Sequence, residues 1–189
     1  MTDSPRIGLL FGSFNPVHIG HLILAEHFAT RTDLAEVWLV VTPHNPFKEA
    51  KDLLPDTERL RLVELALAGN PRLRAEAIEF GLPRPSYTIS TLDALRQRHP
   101  GHDFVLLMGS DNVPGLPRWQ ESARLLAEVD IYVYPRPGYE LPDLDAFPRL
   151  HVLAAPLLDI SATYIRESLR AGRSIRYLVP AAVEAELLK

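Results

Sequence analysis

The ten residues from Gly12 to His21, reading G-S-F-N-P-V-H-I-G-H, leave this chain few ways to fold around them. Ahead of them, residues 7–11 are short and apolar, as a buried strand requires. Behind them, residues 18–28 place Ile19, Leu22, Ile23, Ala25 and Phe28 at helical spacing. The local order is therefore strand, tight turn, helix. Gly12 permits the close turn, and Pro16 biases Asn15 towards extended dihedrals and removes an amide donor where the helix start needs none. Loop amides and the first helical turn present N–H groups and a positive dipole end to the outside, which makes a phosphate site. His18 and His21, three apart, stand on one side of that turn. Gly20 between them lets a ligand or a neighbouring backbone come close. Two imidazoles so placed suit negative charge developing on a phosphorus centre.

Composition narrows the classes. The chain has 189 residues, 47% of them hydrophobic, with no apolar run long enough to span a bilayer, so one globular domain over residues 1–189 is expected. The absence of cysteine excludes a disulfide framework and a thiolate zinc site. The start, M-T-D-S-P-R, carries no apolar segment comparable to a signal peptide, and a cytoplasmic address is the expectation. A net charge of −4 with both signs interspersed argues against nucleic acid as a partner, so a local cluster must hold any anionic substrate.

Strand patterns recur at residues 37–41, 72–78, 104–108, 131–134 and 150–153, and helical ones at 56–68, 88–99 and 159–171. This alternation predicts an α/β fold: a doubly wound, Rossmann-like parallel sheet with flanking helices. Asp56 reads as a helix cap and Gly69 as its stop; Ser86 or Thr88 caps the next helix. Asp111, in G-S-D-N behind the apolar run 104–108, falls at the carboxyl edge of the sheet, where it can accept from a ribose hydroxyl or cap a turn. His44 and Lys48, in a proline-punctuated loop, can reach a phosphate or stand solvated. Trp119, in another proline-marked loop, either covers the core edge or offers an indole face to a flat ring. In D-I-S-A-T-Y-I-R, Ser161 or Thr163 caps a helix that Gly172 ends, and Arg166 adds a guanidinium fork to a second anion site.

The first string, G-x-F-x-P-x-H-x-G-H, resembles the signature of the nucleotidyltransferase superfamily of adenylyl- and cytidylyltransferases, and I-S-x-T-x-I-R resembles its second element. Within it the chain is similar, from Gly8 to Leu187, to the bacterial nicotinate-nucleotide adenylyltransferases. S-Y-T-I-S-T-L, G-S-D-N followed by Trp119, and the closing R-Y-L-V-P-A-A-V carry that likeness. One departure is Ala162, where many relatives have a second Ser. The resemblance implies transfer of AMP from ATP to nicotinate mononucleotide, with release of pyrophosphate. It casts His18, His21 and Arg166 as catalytic. Gly12, Ser13, Phe14, Ser161 and Thr163 would hold ATP with them, and Lys48, Tyr87, Thr88 and Trp119 the acceptor; Gly20 and Asp111 are placed beside ATP by their positions in the chain. The sequence offers no carboxylate cluster for a protein-built metal cage, so Mg²⁺ is expected to arrive on ATP and no metal ligand is assigned. Assembly into a homo-oligomer is left open. Pantetheine-phosphate adenylyltransferase is the nearest rival, but that family usually has Thr where this chain has His18. A non-catalytic nucleotide sensor is a second rival, against which intact His18, His21 and Arg166 speak. H-I-G-H also occurs in class I aminoacyl-tRNA synthetases, for which the chain is too short and lacks a K-M-S-K-S-like element.

Overall fold

Successive residues of a strand face opposite sides of its sheet, and this chain is apolar on both. In the computed structural model, which describes residues 4–43, 53–141 and 147–189, that pattern resolves into two cores. Leu10, Val37, Leu39, Val105, Leu107 and Tyr132 face one. Leu9, Trp38, Val40, Leu106, Met108 and Val133 face the other. Helices must then cover both faces.

Chain order is β1 (Arg6–Gly12), α1 (Ile19–Arg31), β2 (Glu36–Val41), α2 (Asp56–Leu67), β3 (Leu73–Glu76), α3 (Thr88–Arg98), β4 (Asp103–Gly109), α4 (Ser122–Glu128), β5 (Ile131–Tyr134), β6 (Leu150–Val152), α5 (Ala162–Arg170) and α6 (Ala181–Leu187). The six strands, all parallel, lie in the order β3-β2-β1-β4-β5-β6. Phe28 of α1, Leu62 of α2, Ile165 of α5 and Val183 of α6 pack on the first face, while Leu92 of α3 and Leu125 of α4 pack on the second. The sheet is therefore doubly wound and Rossmann-like. Strand order reverses between β1 and β4, and such a reversal opens a crevice beyond the carboxyl ends of the two strands. Among the described residues no helix is long and apolar enough to cross a membrane.

At the opposite edge of the sheet, Arg6 at the start of β1 gathers carboxylates from three other segments. It pairs with Asp33, with Asp103 at 3.1 Å and with Asp130 at 2.6 Å, and donates to the Tyr132 hydroxyl at 2.9 Å. This fastens the amino ends of β1, β4 and β5 and leaves their carboxyl ends to the site.

Several local details depart from the sequence reading. The residue before α2 is Pro55, not an acidic cap; Asp56 is the first helical residue and is engaged by arginines instead. Tyr87 precedes α3 and no side chain caps it. β3 ends at Glu76, and Ile78–Gly81 forms a 3-10 turn. Residues Ser110–Arg118, read as a proline-marked loop, are a 3-10 segment whose buried Val113 and Leu116 follow its three-residue period. Two seven-residue helices, α4 and α6, have no counterpart in that reading.

Candidate active site

Both histidines stand at the carboxyl end of β1, beside the reversal. Phe14 takes a left-handed conformation, φ +44°, and its ring turns inward to 1% exposure. A Cβ at Gly12 would lie 2.9 Å from that ring, so Gly12 is required by the folded-in phenyl group as well as by the turn. Phe14 can therefore meet a ligand only through its backbone.

The chain then enters α1 at His18, 6% exposed. The imidazoles of His18 and His21 stack with centroids 3.6 Å apart, and the Phe14 ring meets His21 edge-on at 5.0 Å. Gly20 makes this possible, since a Cβ there would lie 3.1 Å from Nδ1 of His18. The close neighbour at Gly20 is thus an imidazole of the same motif. Burial lowers the His18 pKa to about 4, so its ring is neutral near pH 7. The His18 N–H donates to Nδ1 of His21 at 3.2 Å. A backbone N–H can only donate, so Nδ1 accepts and the His21 ring proton resides on Nε2.

The helix starts are less open than free amides would be. The Ile19 N–H is taken by the carbonyl of Leu178 at 2.9 Å, and the His21 N–H turns back to the His18 carbonyl at 3.0 Å. At α5, Ser161 is the cap, its Oγ accepting from the Tyr164 N–H at 3.1 Å. Gly172 closes that helix at φ +62°.

The two motifs meet through Arg166. Its Nη1 donates to the carbonyl of Asn15 at 2.8 Å, and Nη2 to Oγ1 of Thr163 at 3.3 Å. Nε is buried without a hydrogen-bond partner. Across the reversal, beyond β4, Asp111 also has Oδ1 buried and unpartnered, with Oδ2 3.5 Å from Nη1 of Arg136. Arg136 follows β5 and is a cation at this edge that the sequence reading passed over. Gly109 lets Asp111 fold in, because a Cβ there would lie close against its Oδ1.

Tyr87 is exposed and Thr88, the first residue of α3, half-buried. Thr91 binds back to the Tyr87 carbonyl at 3.0 Å through its N–H and fixes the start of that helix. Trp119 ends the 3-10 segment and packs half-buried on the second core, so it covers the core edge while keeping part of its indole open. Lys48 and His44 lie outside the described residues. Among the described residues no three His, Cys, Asp or Glu side chains converge as a protein-built metal centre would need; the donors present are ring N–H, guanidinium and amide groups, which suit phosphate oxygens.

Known proteins resemble this chain in sequence and in fold. The family model described as cytidylyltransferase-like matches residues 9–168. A Bacteroides fragilis protein named "Probable nicotinate-nucleotide adenylyltransferase" is 49% identical over 97% of this chain and 92% of its own length. A protein of the same name from Cytophaga hutchinsonii is 48% identical over 97% and 95%. In fold, the chain superposes on Plasmodium falciparum nicotinic acid mononucleotide adenylyltransferase complexed with NaAD with a TM-score of 0.80, covering 97% of this chain and 95% of that one at 18% identity.

Proposed function

The chain belongs to the cytidylyltransferase-like family and, within it, to the nicotinate-nucleotide adenylyltransferases, and from that premise we propose how its residues transfer AMP from MgATP to nicotinate mononucleotide. The products are nicotinate adenine dinucleotide and pyrophosphate. A phosphate oxygen of the mononucleotide attacks the α-phosphorus in line, the bond to the β-phosphate bridging oxygen breaks, and pyrophosphate leaves. No side chain becomes a nucleophile. Catalysis rests on aligning two anions and on meeting the charge that builds on the α-phosphate and the leaving group.

The observation that carries this assignment of roles is the Arg166–Asn15 bond, which ties the second motif to the first at 2.8 Å. His21 donates from Nε2 to an α-phosphate oxygen, a role supported by the acceptor state of its Nδ1. His18, neutral and stacked on it, holds that ring in place without adding a competing charge. Arg166 binds the β- and γ-phosphates with the donors not turned to Asn15 and Thr163, beside the start of α5. The part-exposed carboxylate of Asp111 accepts from a ribose hydroxyl. Tyr87, Thr88 and Trp119 receive the pyridine ring, with nearby backbone amides for its carboxylate. Mg²⁺ carried by the triphosphate would neutralise phosphate charge.

Initial rates of pyrophosphate release with nicotinate mononucleotide, nicotinamide mononucleotide and phosphopantetheine, each with MgATP, test this reading. The first is expected to be fastest; a preference for phosphopantetheine would replace the acceptor assignment.

A further inference from the structure

Arg59 is a fully buried charge that the chemistry above leaves unused. It lies on α2 with no exposed surface, and a guanidinium so placed must have its donors answered within the fold. Backbone carbonyls answer most of them. Nε donates to Leu54 O at 3.1 Å, Nη1 to Ser13 O and to Thr42 O at 2.8 Å, and Nη2 to Pro43 O at 3.0 Å. Nη2 also pairs with Oδ1 of Asp56 at 2.6 Å. One side chain thus fastens the turn after β1, the end of β2 and the approach to α2.

The bond to Ser13 sets a direction. The peptide joining Ser13 to Phe14 is not among the cis bonds of the described residues. In a trans peptide, C=O and N–H point opposite ways. With the Ser13 carbonyl drawn to Arg59, the Phe14 N–H points away from the interior guanidinium, and a carbonyl that would repel a phosphate is turned inward. Arg166 holds the Asn15 carbonyl in the same turn. A second path leads from Arg59 to the acceptor side. Oδ2 of Asp56 accepts from Arg84 at 2.7 Å, and Arg84 directly precedes Pro85–Thr88, where α3 begins.

We propose that Arg59 is a positioning residue for adenylyl transfer: it orients the phosphate-side turn at Ser13 and, through Asp56 and Arg84, fixes that turn relative to the segment that receives the mononucleotide. The proposal rests on the functional reading above. Its logic is that ATP, gripped also by Arg166, still binds when the turn loosens, whereas alignment of the reacting phosphorus suffers.

The test compares wild type, Arg59→Lys and Arg84→Ala in the full chain. Lysine keeps the charge but cannot span the carbonyls that the planar fork reaches. Well below its unfolding midpoint, Arg59→Lys is expected to lower kcat at least tenfold while KM for MgATP stays within threefold. Arg84→Ala, a change at an exposed site, is expected to raise KM for nicotinate mononucleotide at least threefold and leave that for MgATP unchanged. Amide hydrogen exchange supplies a readout free of turnover. Arg59→Lys should speed exchange at least tenfold in residues 13–15 and 86–88 with β4 unaffected, and Arg84→Ala in residues 86–88 alone. A folded Arg59→Lys with kcat within twofold of wild type, equal acceleration in β4, or an Arg84→Ala variant with normal acceptor KM overturns the proposal. If Arg59→Lys does not fold, Arg84→Ala decides. If wild type itself releases no pyrophosphate, the functional reading fails, and exchange alone judges whether Arg59 holds the two segments.

Discussion

The guanidinium of Arg166 lies 2.8 Å from the carbonyl oxygen of Asn15, a contact across 151 positions of the chain. It brings the helix start bearing an arginine to the turn that precedes the paired imidazoles. Asn15 is itself fixed, since its Oδ1 accepts from the Leu54 N–H at 3.1 Å.

Replacing Arg166 should therefore harm chemistry more than folding. Arg166→Ala is expected to reduce kcat/KM for MgATP by about 10²- to 10³-fold. Arg166→Lys should recover only part of that, because an ammonium cannot hold Asn15 and fork a phosphate together. Steady-state kinetics at saturating mononucleotide measure both; full activity in the lysine variant would remove the bidentate role.

His21→Ala is expected to lower kcat by roughly 10²- to 10³-fold, the range for loss of one preorganised donor. The unfolding midpoint should change little, because His21 is only half-buried. Kinetics and thermal denaturation on the same preparation separate the two effects. Near-normal turnover would take Nε2 of His21 out of the reaction.

His18 predicts an acid limit to stability. Its folded pKa of about 4 lies below the ordinary value of 6.5 because burial opposes the charged ring. Between those values the unfolded chain binds a proton that the fold refuses, so stability is complete above pH 6.5 and declines as pH falls towards 4. At about 1.4 kcal/mol for each pH unit, the loss reaches roughly 3 kcal/mol at most. Denaturant unfolding at pH 7 and pH 4.5 should show wild type losing more stability than His18→Asn. Parallel losses would mean that His18 titrates normally.

Trp119→Ala should raise KM for the mononucleotide several-fold with a smaller effect on kcat, as expected when an open indole face supplies binding equal in ground and transition states. Some stability should also be lost, since the other part of the ring packs on the second core. A variant with reduced stability and unchanged KM would make the residue purely structural.

The strands were legible because a parallel sheet covered on both faces needs continuous apolar runs, and 37–41, 104–108 and 131–134 are such runs. The tight turn between β1 and α1 was legible because Gly12, Pro16 and Gly20 have backbone consequences wherever they stand. What escaped was set by tertiary contact. The amide of Ile19 belongs to Leu178, a partner that no local pattern reveals. Helices α4 and α6 are too short for a periodic signal to separate from chance. Arg59 escaped as well, although it lies in register with Leu62, Val63 and Leu67, the buried stripe of α2. That placement of a cation on an apolar stripe was the signal available for it.

The central claim is that AMP passes from ATP directly to the mononucleotide at the place where the two motifs meet. Incubation of the protein with nicotinate mononucleotide and MgATP labelled at the α-phosphate tests it most directly. Label should appear in nicotinate adenine dinucleotide and none in the released pyrophosphate. ATP that binds yet leaves the dinucleotide unlabelled would contradict the account.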